Sequence, residues 1–422
     1  MATEWATAKL GDVCDLFDAP HQTAPLSPDG PVVYLNVGDI HKGRVELRLS
    51  GRVSEDAARA WSGRVSPRAG DVVFGYEATV GEAALLTSDH RWCLGRRVGL
   101  LRPRLDLIDP RFLVYSWYTP RFQETLRANR VGGTTIESIR LTDLPTWTIQ
   151  LPNLDEQHRI AGILGALDDK IELNRRTSET LETIARALFK SWFVDFEPIR
   201  AKAEGRDPGL PANVAGLFPD SFVDSELGEI PERWGTGSIY EIADVIYGAP
   251  FSSTRFNTQR VGRPLIRIRD LVYQRPTVWT TEELARGCVV RAGDIVVGMD
   301  GEFRAQLWHG PDAWLNQRVC LFKPKLGWPA AFVRGAIAAP LAEVEATETA
   351  TTVIHLGKAD VDRFRVVVPP AGIVAAFGAI TDPLYRRIVG ARQEAAVLAS
   401  IRDALLPRLL SGDPSVTTRG AP

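Results

Sequence analysis

Hydrophobic and polar positions change period along this chain, and they do so twice in the same way. Apolar residues first fall into short runs bounded by turn residues, which predict strands at 32–37 and 265–269, the second alternating at period two. Residues 71–74 and 294–297 are short apolar runs after an Ala-Gly turn. Residues 147–152 and 364–369 each predict a last strand stopped by proline, which has no N–H to continue a ladder. From Ile160 the pattern becomes a strict alternation of four- and three-residue steps through Leu164, Leu167, Ile171, Asn174, Ser178, Leu181, Ala185, Leu188 and Trp192. That is a heptad seam, and at 1.5 Å per residue it predicts a helical arm of roughly 50 Å. Phe377, Leu384, Ile388, Ala391, Ala395, Leu398, Leu405 and Leu409 repeat the seam. Paired antiparallel, the two helices would set Asn174 and Ser178 against Ala391 and Ala395, polar and small residues that fix register at some cost in stability. The other reading is two unrelated amphipathic helices, each packed on its own domain. Pro383 predicts a kink near the start of the second arm.

The matching patterns reflect a repeat in the sequence itself. Arg68-Ala69-Gly70-Asp71-Val72-Val73 recurs as Arg291-Ala292-Gly293-Asp294-Ile295-Val296, 223 residues on, with Gly75 and Gly298 following. Arg97-Val98 and Pro103 recur as Arg318-Val319 and Pro324 at a separation of 221. Thr134-Thr135-Ile136 recurs as Thr351-Thr352-Val353 at 217, and Trp5 matches Trp234 at 229. Elements are kept while the loops between them differ in length. The expected organisation is a first α/β domain over 1–152, a helix over 153–195, a linker over 196–232, a second α/β domain over 233–369, a helix over 370–412 and a tail over 413–422. The stretch 195–232 is rich in Pro and Gly and carries nine acidic residues against three basic ones, as a solvated connector or a protein-docking segment would.

Composition narrows the class. The chain has 422 residues, 45% hydrophobic and 24% charged, which suits two or three folded domains. Four scattered cysteines form no C-x-x-C pair, and no apolar run approaches a membrane span, so a cytoplasmic protein is expected. The net charge of −2 gives no global sign of a nucleic-acid partner. Local charge does. Ten arginines between Arg91 and Arg140 face four acids, and six between Arg255 and Arg275 face one. Arginine's planar fork suits guanine edges and phosphates, although such runs are often solvated faces. Gly132-Gly133-Thr134-Thr135 reads as a turn into a short helix that could hold a phosphate, or as a plain cap.

Catalytic constellations are missing from the sequence. Gly357-Lys358-Ala359 lacks both ends of a Walker A loop, the six histidines form no H-E-x-x-H, and neither a glycine-rich methyltransferase loop nor a nuclease acid-x-Lys pair is found. No metal or bound cofactor is expected. Repeat position and donor chemistry single out Arg96, Arg97, Thr134 and Thr135 in the first domain. In the second they single out Ser252, Ser253, Arg255, Gln317, Arg318, Thr351 and Thr352.

One string is more specific than any of these. Leu151-Pro152, Glu156-Gln157, Ile160-Ala161, Leu164, Leu167-Asp168, Ile171 and Asn174 lead to Leu188-Phe189-Lys190-Ser191-Trp192-Phe193-Val194-Asp195-Phe196. Phe218-Pro219 and Leu227-Gly228-Glu229-Ile230-Pro231 with Trp234 follow. Together they resemble the specificity subunits of type I restriction-modification systems, the HsdS family. The resemblance covers nearly the whole chain. It implies two α/β target recognition domains with a pseudo-twofold internal repeat, separated by two long antiparallel coiled-coil helices. Each domain would read one half of a split site in double-stranded DNA. The chain would be non-catalytic, docking two methyltransferase (HsdM) subunits and acting with restriction/translocase (HsdR) subunits, with S-adenosylmethionine and ATP held by those partners. Ile160, Leu164, Leu167, Ile171, Asn174, Leu181, Leu188, Leu384, Ile388, Leu398 and Leu405 would form the helical seam. The sequence departs from the pattern at Gly372-Ile373-Val374, which stands where the first copy has Glu156-Gln157. A stand-alone DNA-binding regulator, an enzyme with an unrecognised site and a protein-only adaptor are the rival readings.

Overall fold

The computed structural model describes residues 5–20, 22–47, 50–61, 65–88, 90–132, 137–347 and 354–411. The chain forms two compact units, Met1–Lys170 with Leu398–Pro422, and Ile171–Val397. Both are mixed α/β.

In the first unit a four-stranded antiparallel sheet runs in the order Cys14–Asp18, Val98–Pro103, Val72–Gly75, Ala83–Leu85. In the second the order is Ala243–Tyr247, Val319–Pro324, Ile295–Gly298, Gln306–Leu307, also antiparallel. The repeated Ala-Gly-Asp segments deliver the third strand of each order. Gly70 and Gly293 take left-handed φ values of +92° and +98°, which a side chain rarely adopts, so glycine is required at both turns. A second sheet pairs Val32–Leu35 with Gly51–Val53 and Trp92–Leu94. Its counterpart extends Arg263–Ile266, Val278–Thr280 and Ala313–Leu315 by two short strands. The pairs Ala6–Lys9 with Thr148–Leu151 and Gly235–Ser238 with Arg365–Val368 close each unit.

The strands expected over 32–37 and 265–269 stop earlier, at Leu35 and Ile266, and turn into 3-10 helices at Val37–Asp39 and Ile268–Asp270. The buried carboxylates of Asp39 and Asp270 cause this. Each accepts the backbone N–H three residues earlier, from Asn36 and Arg267, at 3.0 Å. The local bond outcompetes the ladder.

Both long helices are continuous. Leu154–Phe193 has 40 residues and Ala371–Leu409 has 39, each about 60 Å long. Asn153 starts the first, its side chain accepting the Glu156 N–H at 2.9 Å. The second continues through Pro383, which is exposed, and Thr381 Oγ1 donates to Phe377 O at 2.9 Å just before it. The seam residues are buried or half-buried throughout. In the first unit Ile160 and Leu164 share a core with Leu409 and Leu410, and Asp168 accepts from Arg402 at 2.8 Å. In the second, Asn174 donates to Glu394 at 2.9 Å, and Phe189, edge-on, and Trp192, tilted, pack against Phe377. Within each unit the helices therefore run antiparallel. The hydrogen-bond partner of Asn174 is Glu394, next in sequence to the expected Ala395.

Residues 196–232 are not a loose linker. They fold as helix Glu197–Ala203, a short helical turn at Ala212–Ala215 and the hairpin Phe222–Ser225/Gly228–Pro231. Phe196, Ile199, Phe218 and Ile230 enter the second unit's core beside Trp192, Phe193, Trp234, Phe332 and Phe377. Ring centroids there lie 4.9 Å apart for Phe193–Phe332 and 5.0 Å for Phe193–Phe377. Each such pair adds about 0.5–1.5 kcal/mol beyond area burial. Four well-spaced apolar residues thus anchor a segment whose overall composition reads as solvated.

Candidate nucleic-acid interface

The repeat places Arg97 and Arg318 in the same local structure. Each sits in the tight turn that joins a strand paired in parallel, Trp92–Leu94 or Ala313–Leu315, to an inner strand of the four-stranded sheet, Val98–Pro103 or Val319–Pro324. Both hold left-handed backbone, with φ +76° and +73°. For a residue with a Cβ this costs roughly 1–2 kcal/mol. The turns are tied at both ends. Val98 N–H donates to Gly95 O at 3.2 Å and Gly95 N–H to Leu35 O at 2.8 Å. In the second unit Val319 donates to Asn316 at 3.2 Å and Asn316 to Ile266 at 3.3 Å. The carbonyls of Arg97 and Arg318 accept from Tyr76 N–H at 3.2 Å and Met299 N–H at 2.9 Å.

The acidic residue that follows closes the same arrangement twice. Glu77 Oε1 takes the Arg97 guanidinium at 2.9 Å, and Asp300 Oδ1 takes Arg318 at 3.0 Å. His355 Nδ1 also lies 2.8 Å from Asp300 Oδ1, where the first unit has Ser138 opposite Glu77. Sequence reasoning missed both acids. Extending the repeat two residues beyond Gly75 and Gly298 would have found them, since Gly-x-acid occurs in each copy.

The other expected residues divide. Arg96 and Gln317, each just before its turn arginine, are exposed. Ala249 pairs with Asn316, and Gln317 N–H donates to Ala249 O at 3.0 Å, which brings the chain leading to Ser252 beside this turn. Ser252 is committed locally, its N–H to Glu282 at 2.8 Å and its hydroxyl to Thr254 at 2.8 Å, while Ser253 and Arg255 are exposed. No hydrogen bond joins Ser252, Ser253 or Arg255 to Arg318 among the described residues. Thr134, Thr135, Thr351 and Thr352 lie outside the described residues. The chain after each pair docks on the acid-bearing turn, through Ile139 N–H to Tyr76 O at 2.9 Å and Leu356 N–H to Met299 O at 2.8 Å.

The arginine runs are less free than their sequence suggests. Six of the ten between Arg91 and Arg140 meet carboxylates: Arg91 with Glu55, Arg97 with Glu77, Arg102 with Asp71, Arg104 with Asp15, Arg111 with Asp169 and Arg130 with Glu137. Arg102 is structural, gripping a carboxylate only 1% exposed with two bonds of 2.9 and 2.8 Å. Arg96, Arg121, Arg127 and Arg140 are exposed and carry no ion pair among the described residues. In the second run Arg267 is held by buried Asp270, and Arg263 lies 4.7 Å over the Trp314 ring. Arg255, Arg269 and Arg275 are exposed.

Among the described residues no group of three or more His, Cys, Asp or Glu is placed to hold a metal ion. Burial pushes the thiols of Cys14 and Cys320 up to about 12, so neither is a nucleophile near neutrality. No described helix is long and apolar enough to cross a membrane.

Residues 2–183 match the family model described as the type I restriction modification DNA specificity domain. The chain is 24% identical over 468 residues to the specificity subunit of the type I restriction enzyme HindI from Haemophilus influenzae, covering 97% of this chain and 100% of that one. It is 26% identical over 374 residues to the MjaIX specificity subunit from Methanocaldococcus jannaschii, covering 86% and 81%. The crystal structure of the type I restriction-modification system S subunit from M. genitalium shares the fold, with a TM-score of 0.62 at 17% identity over 96% of both chains. The chain is thus similar to type I restriction-modification specificity subunits over most of its length, its residues 2–183 match their DNA specificity domain, and its fold is that of a solved S subunit.

Proposed function

We propose that this chain is the subunit that reads DNA sequence for a type I restriction-modification complex, and that its own contribution is positioning rather than chemistry. The observation that carries the reading is the duplicated turn, in which one arginine in strained backbone is steered by one carboxylate. Strain kept at two equivalent positions, one half-buried and one exposed, points to a site. Each turn contributes to reading one half of a bipartite target. The halves differ because the surroundings differ: Arg96 against Gln317, and Ser138 against His355. Arg96, Ser253 and Arg255 supply further donors, and Thr134, Thr135, Thr351 and Thr352 follow from repeat position.

The long helices act as an antiparallel coiled coil that docks two methyltransferase subunits, with restriction subunits joining the complex in the cytoplasm. S-adenosylmethionine and ATP belong to those partners. Gly372-Ile373-Val374, in place of Glu156-Gln157, makes the two docking faces chemically unequal.

Co-expression with the cognate methyltransferase in a methylation-free host, read by single-molecule sequencing, tests this. The expected result is methyl-adenine confined to one split motif. No modification, with a methyltransferase that is active alongside another specificity subunit, would overturn the reading in favour of a stand-alone regulator.

A further inference from the structure

The second unit contains a polar cleft that the reading turns do not use. It has a volume of about 270 Å³, and its walls include Gln274, Gln306, His309, Arg334 and Arg392. The cations come from two helices, Arg334 from Ala330–Ala336 and Arg392 from Ala371–Leu409. Both lean on one oxygen of one carboxylate, Glu182 Oε1, at 2.8 Å for Arg334 and 3.1 Å for Arg392, and Arg334 Nε also donates to Ala305 O at 2.9 Å. Burial raises the Glu182 carboxyl, but the two arginines outweigh it and hold the group below its ordinary range, so it is ionised. Two guanidiniums against one carboxylate leave a surplus positive charge in a largely buried setting.

Beside Val272, Tyr273 and Leu307, the remaining wall is polar and uncharged. Burial, then the nearby Arg392 charge, pushes the His309 imidazole down to about 4, so it is uncharged at neutral pH. Gln274 holds left-handed backbone at φ +49°. Its side-chain oxygen accepts His309 N–H at 2.8 Å and its amide donates to Gln306 Oε1 at 3.3 Å. That pins the Gln306 carboxamide by its oxygen and leaves its NH₂ to donate. Strained backbone at a polar residue, fixing a second polar residue beside unbalanced guanidiniums, is an independent mark of a site. With Arg334 held by Glu182 and Ala305, the Arg392 guanidinium and the Gln306 amide supply the donors, a set that suits a phosphate group over a simple halide. The volume lies just below the roughly 300 Å³ at which small-molecule sites begin, which fits a phosphate with one attached sugar and excludes a dinucleotide.

We propose that this cleft binds a phosphate ester. The chemistry is common to a free sugar phosphate and to one phosphodiester of a DNA backbone. Calorimetric titration of the full chain with inorganic phosphate and with ribose 5-phosphate tests it. One saturable site is expected, with ribose 5-phosphate tighter, and with at least a tenfold loss in Arg392→Gln and in Gln306→Leu. The second variant leaves the Glu182–Arg334–Arg392 cluster intact, so it separates ligand loss from damage to helix packing, and circular dichroism checks that each variant folds. Competition by a short duplex of arbitrary sequence would assign the site to backbone phosphate, and undisturbed binding would assign it to a free ester. No saturable heat with either ligand, or equal affinity in Gln306→Leu, overturns the proposal. Because no target sequence enters the titration, its outcome is independent of half-site reading.

Discussion

Replacing Arg97 by glycine should weaken DNA reading while leaving stability nearly unchanged. The backbone there lies at φ +76°, where a residue with a Cβ pays roughly 1–2 kcal/mol and glycine pays almost nothing. Glycine's larger freedom in the unfolded chain returns about 0.5–1 kcal/mol of that gain. The lost Glu77 pair, with side chains 24% and 29% exposed, costs about 0–1 kcal/mol. The net change in stability is therefore between about −1 and +1.5 kcal/mol, and the fold survives. Reading is a different matter, because a bidentate arginine contact to a base is worth about 1–3 kcal/mol, or roughly 5- to 150-fold. Fluorescence anisotropy with the methyltransferase-bound chain, on targets with each half-site scrambled separately, measures this against a thermal melt. Arg97→Gly should lose discrimination at one half-site only, and Arg318→Gly at the other. Unchanged affinity in both variants, or loss of both half-sites from either one, would refute the argument that each turn reads its own half.

Three further outcomes follow from particular contacts. Arg102→Ala strands the buried Asp71 carboxylate and should cost about 3–5 kcal/mol in a denaturant melt, whereas the exposed Arg121→Ala should change stability by less than about 0.5 kcal/mol. Asn174→Leu removes a buried amide whose Oδ1 has no partner, so the melting temperature should hold or rise. Light scattering should then show more than one species, because the register bond to Glu394 is gone. His309 has a folded pKa of about 4 against an ordinary 6.5, so below pH 6.5 the unfolded chain binds the extra proton and stability falls as pH drops towards 4. His309→Gln should remove that part of the slope in melts recorded across this range.

The alternation of strands, the two heptad seams and the duplication were legible because each is a local or periodic property of the chain. Period and repeat need no knowledge of what packs where. On this basis the sequence by itself determined two α/β copies and two long helices, and it singled out Arg97 and Arg318 as equivalent positions. Tertiary structure decided the rest. Arg102 and Arg96 are near neighbours in one basic run, yet Arg102 is consumed by Asp71, 31 residues away, and Arg96 is left in solvent. Arg104 meets Asp15 across 89 residues. Charge counted within a window cannot see such partners, because an ion pair depends on distance in space. Residues 196–232 read as linker because composition averages over a segment, whereas Phe196, Ile199, Phe218 and Ile230 anchor it by meeting a shared aromatic core. The left-handed turns were hidden for the same reason: only strand pairing on both sides forces a non-glycine residue into φ near +75° and holds it there.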